Sequence, residues 1–167
     1  MSKVFLDTNI LLYTIDQREP WKRDQALRIV SELAYHGMAV ISIQVLQEFY
    51  VGATRKFGID PLTAKGMIAG FRAHELVAPD IELMNEAIDG SILNRISFWD
   101  ALIIASARRA NCEVVWTEDL NHGQLIQGVR IENPFLKPSV SGPSMVRESS
   151  AKRRSRHGKR DELYRKN

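Results

Sequence analysis

An α/β fold around a mostly parallel sheet of about five short strands is what this sequence predicts, and three observations predict it. Short apolar segments alternate along the chain with long segments of helical periodicity. Carboxylates follow two of those apolar segments, as at the carboxyl ends of buried strands. A chain of 167 residues, 44% apolar, has enough core for one domain.

Val4 to Leu6, Ala39 to Ile43 and Val114 to Trp116 are the clearest strands, being apolar and rich in β-branched residues. Leu76 to Ala78 and Val129 to Glu132 complete the expected set, and Pro134 ends the fold. Helical patterns cover Trp21 to His36, Gln44 to Phe57, Leu62 to His74 after Pro61, Ile81 to Leu93 and Phe98 to Ala110. In the first of these, Ala26, Leu27, Val30, Leu33 and Ala34 share a face. No glycine-rich phosphate loop and no repeat is present.

Charge divides the chain. Residues 1–136 carry 13 Lys and Arg against 17 Asp and Glu; residues 137–167 carry 10 against 3, which makes the overall +3 a property of the tail. That tail, with Lys152-Arg153-Arg154-Ser155-Arg156, is too polar to offset its ordering entropy and is expected to be disordered. Its charge suits phosphate backbones, with an idle solvated tail as the alternative. A single cysteine, Cys112, excludes an internal disulfide and a thiolate zinc site within one chain. With no signal-like or membrane-length apolar run, a soluble cytoplasmic protein without membrane contact is expected.

Four acids stand out of keeping with their surroundings. Asp7 interrupts the apolar opening; its bland role is to cap a helix from Ile10 onward, a job Asn9 alone could do. Glu48, on a helix whose expected core stripe is Leu46, Phe49, Tyr50 and Ala53, has Gln44 and Gly52 one turn away, and Gly52 is expected to leave open space beside it. Alone it would pass for a surface glutamate. Asp100 follows Ser97 by three, as in a weak capping box, and shares a face with Ile103, Ile104 and Ala107. On such a face an unpaired carboxylate costs several kcal/mol. In Thr117-Glu118-Asp119, beside the turn residues Asn121 and Gly123, either acid could serve; Asp119 is chosen.

Asp7-Thr8-Asn9, Glu48, Ser97-Phe98-Trp99-Asp100-Ala101-Leu102-Ile103 and Thr117-Glu118-Asp119-Leu120-Asn121-His122-Gly123-Gln124, in that order, resemble the PIN-domain nucleases, and most of all the VapC-type toxins. The resemblance spans about residues 3–135 and implies a three-layer α/β/α nuclease domain over 1–136. It implies a magnesium site of Asp7, Glu48, Asp100 and Asp119, supported by Asn9 and Thr117, with Mn²⁺ as a substitute. An RNA substrate, a cognate antitoxin and a homodimer come with it. The basic tail departs from the family pattern.

Hard cations prefer oxygen ligands, and clustered carboxylates need a cation to relieve their repulsion. Two rivals share strand-end acids. Phosphoaspartyl phosphatases need an acid where Asn9 stands, and receiver-like Mg²⁺ modules need paired acids after the first strand and a late lysine. A PIN-fold module that binds RNA or a partner without turnover is a third. His36, His74 and His157 are expected at the surface and His122 in a loop; Arg55, Lys56, Arg108 and Arg109 are candidate phosphate contacts.

Overall fold

The computed structural model describes residues 2–136. The basic tail, with His157, lies outside the described residues. The elements are β1 (Val4–Leu6), α1 (Thr8–Tyr13), α2 (Pro20–Tyr35), β2 (Ala39–Ser42), α3 (Ile43–Arg55), α4 (Pro61–Gly70), a 3-10 turn (Phe71–Ala73), β3 (Glu75–Val77), α5 (Ile81–Asn94), α6 (Phe98–Arg109), β4 (Val114–Trp116), β5 (Leu125–Ile126) and β6 (Val129–Glu132).

One six-stranded sheet runs β3-β2-β1-β4-β6-β5, parallel except for the β5–β6 pair, with helices on both sides. The sixth strand is β5, which is absent from the sequence expectation. Two residues are too short for a period to register, and its signal is the two-residue turn Gln127-Gly128, both at positive φ (50° and 85°), that folds Ile126 back on Val129. The other addition is α1.

β1 sits at the centre because Val4, Phe5 and Leu6 are all buried, and Phe5 and Leu6 are wholly so. Removing two such side chains from water is worth about 2 kcal/mol each. β1 pairs with β2 on one side and with β4 on the other, Leu6 aligning with Trp116. Chain order therefore departs from β1 in both directions, and the crevice between the carboxyl ends of β1 and β4 is where α/β folds place ligands. Helix α6 precedes the parallel strand β4 and packs on β2, β4 and β6, so its first turn also faces that edge.

Two helical faces differ from expectation. In α2 the buried set is Ala26, Ile29, Val30 and Leu33, while Leu27 is 40% exposed. In α3 it is Gln44, Val45, Phe49 and Ala53; Leu46 is half-buried and Tyr50 exposed. A helix touching both the sheet and α1 is buried along a stripe rotated from the one composition favours. Gly52 has no open space: a Cβ there would stand 2.9 Å from Leu12 Cδ2, so this glycine lets α1 and α3 approach. His74 is buried, not peripheral, its ring edge-on to Phe71 and both nitrogens without partners. Burial holds its pKa below the usual histidine value. Cys112 is free and buried, its thiol pushed up to about 12 by desolvation. Among the described residues no helix is long and apolar enough to cross a membrane.

Candidate active site

Asp7 leaves β1 directly into α1 as its N-cap, accepting the Thr8 backbone N–H at 2.6 Å. The capping role and a place at the strand-end crevice are thus held by one residue. Asn9 lies inside the helix instead of capping it. Because β1 and β4 are in register, the residue after β4, Thr117, comes beside Asp7; its fully buried hydroxyl donates to Asp7 Oδ2 at 2.6 Å. The same oxygen of Thr117 accepts the Asp119 backbone N–H at 3.0 Å. One hydroxyl therefore ties the two strand ends together.

Asn9 adds the second tie. Its Nδ2 lies 3.2 Å from Asp7 Oδ2, 3.1 Å from Thr117 Oγ1 and 3.0 Å from Asp119 Oδ2. Three acceptors around one nitrogen fix the amide's orientation, and Asn9 Oδ1 is left buried without a partner. Thr8, which the sequence reading passed over, reaches α3: its hydroxyl donates to Glu48 Oε2 at 2.8 Å, while Gln44 Nε2 donates to Glu48 Oε1 at 2.8 Å. The adjacency of Thr8 to Asp7 was the available signal.

Asp7 is the electrostatic centre. Burial pushes its pKa from the ordinary 3.8 up to about 6, against the hydrogen bonds from Thr117 and Thr8; the charges of Asp119 and Glu48 add to the rise. Asp7, Asp119 and Glu48 therefore share one neighbourhood.

Asp100 is placed differently. It is half-buried in the first turn of α6, where Ser97 caps: Ser97 Oγ accepts the Asp100 N–H at 3.0 Å and donates to Asp100 Oδ2 at 2.7 Å. The buried stripe begins one residue later, at Ala101, so the expected burial cost does not arise. No hydrogen bond joins Asp100 to the other three acids among the described residues. Glu118 lines the same cleft as Asp119 but is paired with other groups: Lys22 Nζ donates to its Oε1 at 2.7 Å, and the Tyr13 hydroxyl donates to its Oε2. Lys22 is 96 residues from Glu118, so no local pattern reveals the pair.

Of the candidate cations, Arg109 is taken by Asp80 at 2.6 Å and Glu86 at 3.6 Å, and Arg108 donates to Gln127. Arg55 is exposed, and Lys56 lines the cleft beside the acids. The exposed His122 accepts the Asn133 N–H at 3.0 Å through Nδ1.

The cleft measures about 620 Å³ and is lined by Thr8, Asn9, Gln47, Glu48, Lys56 and Asp119 among others. Among the described residues no three His, Cys, Asp or Glu side chains converge as a ready ligand set. The donor chemistry still fits a hard dication: every candidate is an oxygen, Asp7 carries an unfavourable charge that a cation would relieve, and Asn9 Oδ1 is unpartnered.

Residues 4–125 match the family model described as PIN domain. No curated protein matches the chain significantly in sequence. Among solved structures, the DNA-bound VapBC of Salmonella typhimurium is 25% identical, with 80% of this chain and 99% of that one covered and a TM-score of 0.59. VapC20 of Mycobacterium tuberculosis, described as a sarcin-ricin-loop-cleaving toxin, is 21% identical over 70% of this chain and 92% of its own, TM-score 0.52. A toxin-antitoxin complex from Klebsiella pneumoniae is 19% identical over 80% and 98%, TM-score 0.58. The match sets aside the phosphatase and receiver-like readings. With the strand-end acids and the parallel sheet, it makes this chain a member of the PIN-domain family.

Proposed function

We propose that this protein is a metal-dependent endoribonuclease, the toxin of a toxin-antitoxin pair. The observation that carries the reading is the half-buried Asp7 carboxylate, joined through Thr117 and Asn9 to Asp119 at the adjoining ends of β1 and β4.

In this reading Asp7 and Asp100 hold the principal Mg²⁺, with Mn²⁺ as a substitute, and Asp119 and Glu48 complete or bridge the site. A bound cation would supply acidity to a coordinated water and stabilise charge on the phosphate oxygens. The chain's own groups do the rest. Thr117 donates to Asp7 and fixes the position of that oxygen; Asn9 holds Asp119 against Asp7; Thr8 and Gln44 anchor Glu48 on α3. Groups in this relation to a metal's ligands set affinity and orientation.

An acidic cleft also suits inhibition by a basic side chain from an antitoxin, which would pair with the carboxylates and exclude cation and substrate. The VapBC-type and toxin-antitoxin complexes among the structural neighbours support such a partner. Exposed Ile81, Met84, Ile88 and Ile92 along α5 support pairing with a second copy. A cytoplasmic site of action follows from RNA as the substrate.

The test is an RNA-cleavage assay of antitoxin-free protein with Mg²⁺, Mn²⁺ or chelator, with Asp7→Asn and Asp100→Asn alongside. Cleavage that needs metal and falls at least about 100-fold in Asp7→Asn is expected. Metal-dependent RNA binding with no cleavage would turn the reading to a binding module without turnover.

A further inference from the structure

A second cavity opens beside the acidic cleft. It measures about 400 Å³, within the range of about 300–1,000 Å³ typical of ligand sites. Asn9, Leu12, Tyr13 and Lys56 line both spaces, so they adjoin along α1; Asp16, Arg18, Glu19 and Phe57 close the second. A strand crossing the carboxylates would continue into it.

The charges there are arranged unequally. Buried Asp16 grips Arg18 with both oxygens at 2.9 Å, which spends the guanidinium's charge and sets it 4.8 Å from the centroid of the Phe57 ring. Phe57 thereby becomes a braced wall. Lys56 lies 5.5 Å from the same centroid, and among the described residues no carboxylate comes within 4 Å of its ammonium. Its charge is felt by Asp16, whose pKa it helps to hold down, but it makes no salt bridge there. A cation beside a braced aromatic is the pairing that proteins use on single strands, phosphate on the cation and base on the ring.

We propose that this cavity is a subsite for one nucleotide of single-stranded RNA adjoining the cleaved bond, with Lys56 receiving its phosphate and Phe57 its base. The inference rests on the nuclease reading for the position of the cut, and on Lys56 and Phe57 for the subsite itself.

The test measures binding of a short fluorescein-labelled single-stranded RNA of mixed sequence to the full chain in chelator, across a salt series. One phosphate contact contributes a slope of about 0.7 in log K against log salt, which at about 0.1 M is about a 5-fold effect. Lys56→Gln should weaken binding about 5-fold and lower the slope by about 0.7; Lys56→Arg should restore both. Phe57→Leu should weaken binding about 5-fold or more with the slope unchanged. Lys65→Gln, an exposed lysine on α4 away from both spaces, serves as the control for diffuse charge. Equal losses in Lys56→Gln and Lys65→Gln, or native affinity and slope in Lys56→Gln, would overturn the subsite. If the native protein still cleaves RNA with Mg²⁺ in that case, the nuclease reading stands without it. If no protein cleaves but Lys56→Gln loses RNA as expected, the subsite stands and the nuclease reading falls.

Discussion

Replacing Asp7 by Asn should flatten the pH dependence of stability of the metal-free protein in a known direction. Asp7 has an ordinary pKa of 3.8 and a folded value of about 6, raised first by burial and further by Asp119 and Glu48. Between those values the folded state binds more protons than the unfolded state, so stability contributed by the protonated form is present below 3.8 and is lost as pH rises through 6. A difference of about two pKa units corresponds to about 3 kcal/mol over the whole span, and to about 2 kcal/mol between pH 4.5 and 7. Urea unfolding in chelator should therefore show the native protein losing up to about 2 kcal/mol relative to Asp7→Asn across that window. Asn also forfeits the bonds accepted from Thr117 and Asn9, which offsets its stability at every pH alike; only the pH-dependent difference is diagnostic. Added Mg²⁺ should remove that difference above pH 6, because a cation bound to the charged form stabilises the folded state by mass action. Parallel pH curves for the two proteins without metal would refute the electrostatic account of Asp7.

Other outcomes follow from single contacts. Thr117→Val leaves the Asp119 N–H without its acceptor and Asp7 Oδ2 without its hydroxyl donor and should cost about 2–3 kcal/mol in a melt, with cleavage reduced about 10- to 100-fold. Gly52→Ala meets only the flexible end of Leu12, which can swing toward the cleft it lines, so the roughly 1 kcal/mol gain in helix propensity should prevail and Tm should not fall. Ser97→Ala removes the α6 cap for about 1 kcal/mol and frees Asp100 Oδ2, so a cleavage loss larger than the stability loss explains would place Asp100 in the reaction. His74→Leu should stabilise the protein below pH 6.5, where the unfolded histidine takes up a proton that the buried ring resists, and the gain should shrink above it.

Local chemistry made most of the fold legible. Val4 to Leu6, Val114 and Val115 are buried, so continuous apolarity marks these strands, and Ser97 announces the helix it caps. Patterns that need length or a partner were illegible: β5 has two residues, and the α2 and α3 faces follow neighbours instead of composition. The same division runs through the site. Asp7 is visible because a carboxylate after an apolar strand is anomalous in its own sequence, whereas the choice between Glu118 and Asp119 depends on Lys22 and Asn9, each about a hundred residues away.

The sequence by itself determined the α/β class, most element positions and the separation of charge between residues 1–136 and the tail, because each is written in periodicity or composition. Tertiary structure alone decided that Asp7 and Thr117 meet, that Glu48 is reached through Thr8, that Asp100 begins outside the hydrogen-bonded group, and that Lys56 stands beside a braced Phe57. Those relations depend on strand register and helix packing, which sum contacts over the whole sheet and are recorded in no local stretch of the chain.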